Sequence, residues 1–95
     1  MNTIFPFLQK TPKEIEKQIA KRIRSIRKRR KISQQKLAEI SGVSLGSVKR
    51  FEQSGEISLI SLIKIAMALD LSSELEQLFG DIPPLSIEEI VNEQD

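Results

Sequence analysis

Between residues 33 and 53 the chain spells two short helices with almost nothing to spare between them. Ser33 is a good helix cap, and residues 34 to about 41 place Leu37, Ala38 and Ile40 on a buried side. Gly42 stands where a helix closes in a left-handed residue. Val43 is apolar, and Ser44 caps a second helix over 45 to about 53, with Val48 and Phe51 three apart on its inner face. A turn of about three to four residues forces such helices to cross steeply. Ala38 is small where the two cross closely, and Gly42 accepts the backbone geometry of the turn. Leu37, Val43, Val48 and Phe51 fix the crossing angle.

The flanking sequence supplies more helices for this pair to rest on. Thr11 caps, Pro12 suits a first helical position, and Glu14 completes a capping box. Ile15, Ile19, Ile23 and Ile26 then form one apolar stripe on a helix reaching about residue 30. Its end, Arg27-Lys28-Arg29-Arg30-Lys31, complements the helix dipole, although five cations exceed what that requires. Ser58 caps a helix over 59 to about 69 that is apolar nearly all round (Leu59, Ile60, Leu62, Ile63, Ile65, Ala66, Met67, Leu69). Such a helix is the central core element or also part of a subunit interface. Ser73-Glu74-Leu75-Glu76 reads as a capping box opening a fifth helix to about 79, ended by Gly80. Pro83-Pro84 follows, and a last short helix fits 87–92 behind Ser86. No alternating strand pattern or internal repeat appears. The expected class is all-α: an N-terminal extension (1–10), a five-helix domain (11–80) and an acidic tail (81–95) able to form one more helix.

Composition narrows the function. The chain has 95 residues, enough for one domain, and contains neither cysteine nor histidine. No disulfide frame, thiolate metal site or histidine base is available, so no metal or cofactor is expected, and a carboxylate-only enzyme has nothing to support it. Charge is divided unevenly. Residues 10–52 hold 14 of the 15 Lys and Arg against four acids, a net of +10. Residues 53–95 hold Lys64 against nine acids, a net of −8. A polyanion would meet the first half. The apolar start, 1–8, is broken by Pro6 and lacks the marks of a signal peptide. The apolar run 57–69 includes Lys64 and is too short to span a bilayer. A soluble cytoplasmic protein with no membrane partner is expected. Its second crossing helix, held out from the body, fits a DNA major groove.

The residues Ile26-Arg27, Ser33-Gln34-Gln35-Lys36-Leu37-Ala38-Glu39-Ile40-Ser41-Gly42-Val43-Ser44, Val48, Phe51-Glu52, Gly55, the run 62–69 and Leu78-Phe79 carry a resemblance. In spacing, small residues and caps, this stretch resembles the Cro/CI-type (lambda-repressor-like, XRE) helix-turn-helix family, over about residues 19–79. The resemblance implies a five-helix DNA-binding regulator, not an enzyme, and most often a dimeric repressor of palindromic operators. It implies base contacts from Ser44, Leu45, Gly46, Ser47, Lys49 and Arg50. Arg50 suits a guanine, and Leu45 suits a thymine methyl. It implies phosphate contacts from Gln34, Gln35, Arg27, Lys28, Arg29, Arg30 and Lys31, and a structural ion pair between Arg27 and Glu52. Gly46 departs from the pattern by offering no side chain where relatives often place a polar reader, so DNA shape is expected to carry part of the specificity.

The fourth and fifth helices and the tail are the expected homodimer region, and Ile4, Phe5, Phe7 and Leu8 offer further apolar groups. The tail also looks like that of small HipB-like antitoxins, which implies an alternative: an antitoxin that represses its own operon and binds a kinase-like protein toxin. A protein-interaction module without DNA binding is the remaining alternative.

Overall fold

Local capping chemistry sets the helix boundaries. In the computed structural model, which describes residues 9–93, α1 spans Pro12–Arg29 with the Thr11 hydroxyl accepting from the Glu14 N–H. Helix α2 spans Gln34–Ser41, capped by Ser33 and closed by Gly42 at φ +75°. Helix α3 spans Leu45–Ser54, capped by Ser44 and closed by Gly55 at φ +87°. Helix α4 spans Leu59–Ala68 behind Ser58, α5 spans Ser72–Glu76, and α6 spans Ile87–Asn92 behind Ser86. The described residues form six helices and no strand, so the fold is all-α. None of these helices is long and apolar enough to cross a membrane.

The core is small and aliphatic around one ring. Leu37, Val43, Val48, Phe51, Ile65 and Leu69 are buried together, and Ala20 enters from α1. Helix α1 packs mainly on α3, α4 packs on α2, and α2 and α3 pack on each other. Helices α1 and α4 thus bear on the crossing pair, and α5 packs on α4. Residues with left-handed backbone close three of the turns: Lys31 after α1, Asp70 after α4, and Phe79 after α5.

Four expectations differ from this arrangement. Only the later half of the isoleucine stripe meets the protein interior: Ile23 packs half-buried against the core and Ile26 is half-buried. Ile15 and Ile19 are exposed, and Ala20 and Arg27 face the core instead. The crossing over α3 is too close for branched side chains, and alanine fits it. Ile40 is 45% exposed and does not join Leu37 on the buried side of α2. Ser73 does not cap α5. The helix starts at Ser72 behind Leu71, whose N–H donates to the Ala66 carbonyl at 2.7 Å, so α5 springs directly from the end of α4. Phe79, not Gly80, takes the left-handed position at its close. Ile4, Phe5, Phe7 and Leu8 lie outside the described residues.

Candidate nucleic-acid interface

Burying Val48 and Phe51 rotates the rest of α3 outward. Gly46, Lys49, Arg50 and Gln53 are exposed, and Leu45 and Ser47 are half-buried at the start of the helix. The Ser44 hydroxyl accepts from the Ser47 N–H at 3.1 Å and donates to the Ser47 hydroxyl at 2.8 Å. Both serines are therefore fixed in place before any ligand arrives. A Cβ added at Gly46 would meet nothing within 4 Å. Packing within the protein does not require glycine at this position.

Glu52, on the inner flank of α3, ties three helices together. Its side chain is 3% exposed and that of Arg27 is 9% exposed. Arg27 donates through Nε at 2.6 Å and Nη2 at 2.9 Å to the two carboxylate oxygens. Its Nη1 donates to the Ile32 carbonyl at 2.7 Å, fixing the turn between α1 and α2. Gln34 adds a bond from Nε2 to Glu52 at 3.0 Å. Burial alone would push the Glu52 carboxyl up. Hydrogen bonds from Arg27 and Gln34, with the charges of Arg27 and Arg24, offset that and hold it below the ordinary carboxylate range. Glu52 stays ionised, and the amide of Gln34 is fixed at the first turn of α2.

Above this group lies an open polar cleft of about 430 Å³, lined by Arg24, Gln34, Lys49, Glu52 and Gln53. The structure brings Gln34 and Lys49 together there, one from each crossing helix. Gln35 is exposed beside Gln34, and Lys28, Arg29 and Lys31 are exposed around the end of α1. Arg30 donates to the Leu69 carbonyl, bracing α1 against the end of α4. Arg27 is turned inward onto Glu52 and Ile32. Among the described residues no cluster of three or more carboxylates is placed to hold a metal ion.

A helix-turn-helix family model matches residues 23–75, which covers the capped pair, the Glu52 group and α4. The chain belongs to the Cro/CI-type helix-turn-helix family. That family consists of DNA-binding transcriptional regulators, not enzymes. No curated protein matches the chain.

For a helix-turn-helix protein the cleft adds two residues that the sequence reading did not select, Arg24 and Gln53. Arg24 comes within 3.9 Å of Glu52 while remaining half exposed. The available signal was its position one turn before Arg27, on the same helix face. Gln53 lies four residues after Lys49 on the outer face of α3, at the position where the sequence pattern ends the helix.

Proposed function

We propose that the protein is a cytoplasmic, dimeric repressor that inserts α3 into the DNA major groove. One observation carries this reading. The inner face of α3 is fully occupied by the core, while its outer face carries exposed Lys49 and Arg50 beside an open Gly46 that the fold itself does not need. Arg50 bonds a guanine through O6 and N7, Lys49 contacts a neighbouring base or phosphate, and Leu45 meets a thymine methyl. Ser44 and Ser47 sit at the base edges near the start of the helix. Gln34, Gln35, Lys28, Arg29 and Lys31 hold phosphates, and Arg27 and Glu52 position Gln34. The homodimer covers the groove between α4 and α5, where Ile63 and Met67 are exposed beside half-buried Leu75, and matches a palindromic site.

Selection of bound duplexes from a random pool tests this reading, and a palindromic consensus is the expected result. On that site Arg50→Ala should weaken binding by about 10- to 100-fold, in keeping with roughly 1–3 kcal/mol for a bidentate base contact. Binding unaffected by Arg50 and by salt would leave the module without DNA binding as the better reading. Gly46→Ala should give opposite effects on fold and function. The α3 helix should gain up to about 1 kcal/mol, because glycine is poor in a helix interior. DNA affinity should fall, because the added methyl group stands where the backbone approaches the groove. Thermal melts and fluorescence anisotropy of the same variant check both parts.

An antitoxin role is the second reading, and the tail favours it. Helix α6 leaves Ile87 and Val91 exposed among Glu88, Glu89 and Glu93, and Leu85 is 92% exposed ahead of it. Co-purification with a kinase-like protein encoded next to this chain would support that role.

A further inference from the structure

Outside α3, the most concentrated unneutralised charge lies on α1. Lys17, Lys21, Arg24 and Lys28 follow one another at four, three and four residues, which places them on one helix face about 17 Å long. All four are exposed. The acids of α1 do not neutralise this face: Glu14 and Glu16 precede it, and Glu16 is engaged by Lys13, which also bridges to Glu56. Among the described residues Lys17, Lys21 and Lys28 have no ion pair. Arg24 has only its 3.9 Å approach to Glu52, whose oxygens already accept shorter bonds from Arg27 and Gln34. The core does not account for the face, since α1 packs through Ala20, Ile23 and Arg27. Its direction is set by Arg24, which lines the same cleft as Lys49 and Gln34.

We propose that the Lys17 and Lys21 end of this α1 face is a second DNA-backbone contact, laid along phosphates beyond the base pairs that α3 reads, with Arg24 and Lys28 joining the two surfaces. The proposal rests on the DNA-binding reading above. Three lysines and a guanidinium, with no apolar side chain among them, suit a chain of phosphates. A protein partner would want an aromatic or aliphatic anchor at the centre of the patch. The side chains of Lys17, Lys21 and Lys28 are not held to any acid, so contact with phosphate breaks no ion pair within the protein.

The test uses the full chain and the double variant Lys17→Gln/Lys21→Gln. The probes are two labelled duplexes carrying the pool-selected site, one trimmed to that site and one extended by about two helical turns at each end. Each lost phosphate contact removes about 0.9 from the slope of log affinity against log salt. A dimer meets the extended duplex with four of these lysines, so a fourfold rise in salt should cost the wild type on the order of 100-fold more affinity than the variant. On the trimmed duplex the two proteins should bind alike. Lys17→Arg/Lys21→Arg should restore the wild-type slope, and melting midpoints should coincide. Equal slopes on the extended duplex would overturn the α1 contact while leaving the role of α3 intact. An equally large variant effect on the trimmed duplex would overturn the placement outside the site. A wild-type protein that binds neither duplex would overturn both this proposal and the reading on which it rests.

Discussion

Replacing Glu52 with alanine should lower the unfolding free energy by about 3–5 kcal/mol, as expected when one partner of a buried ion pair is removed. The carboxylate accepts two bonds from Arg27 and one from Gln34, with its side chain 3% exposed. Without it the guanidinium of Arg27, 9% exposed, keeps one bond, to the Ile32 carbonyl. The cost comes mainly from that stranded charge rather than from the lost attraction. An apolar double variant, Arg27→Met/Glu52→Leu, should therefore fold much closer to wild type than either single variant. Urea unfolding of the three variants separates the two contributions. A Glu52→Ala protein within about 1 kcal/mol of wild type would show that the pair is hydrated and does not join the helices. The double variant carries a second expectation. It loses the rest position of Gln34, so its DNA affinity should fall even where its stability recovers.

The capped helix pair was readable because its signals are local. Ser33, Gly42 and Ser44 act on backbone groups within three or four residues, and both ends of α2 lie where those residues placed them. Signals that depend on a distant partner were weaker guides. The period of Ile15, Ile19, Ile23 and Ile26 marks an apolar face correctly but says nothing of how closely α3 crosses. That closeness turned Ala20 and Arg27 inward and left Ile15 and Ile19 exposed. The capping box at Ser73 failed for a related reason. The bond from the Leu71 N–H to Ala66 fixes the chain before Ser73 can act as a cap. Arg24 was overlooked because Glu52 and Lys49, which give it meaning, lie more than 20 residues away in the sequence.

Gly55 shows how a distant contact can decide a single position. Its φ of +87° already disfavours any side chain, at a cost of about 1–2 kcal/mol. A Cβ there would also lie 2.7 Å from the carbonyl carbon of Glu16 and 2.9 Å from its carbonyl oxygen. Those are backbone atoms of α1, and they can yield only if the whole helix moves. Gly42 provides the control, because it closes α2 at φ +75° with nothing within 4 Å of its added Cβ. Gly42→Ala should therefore pay the conformational cost alone, about 1 kcal/mol, while Gly55→Ala should lose about 3 kcal/mol or more. Equal losses in urea unfolding would mean that α1 and α3 are not in close contact at this point. A larger loss at Gly55 has a functional consequence. The helix displaced by the methyl group also carries Arg27, so relief of the clash tilts α1 away from Glu52. Residual folded Gly55→Ala protein should then bind the selected duplex more weakly than Gly42→Ala protein at the same folded concentration, because Gln34 and α3 are held through that carboxylate.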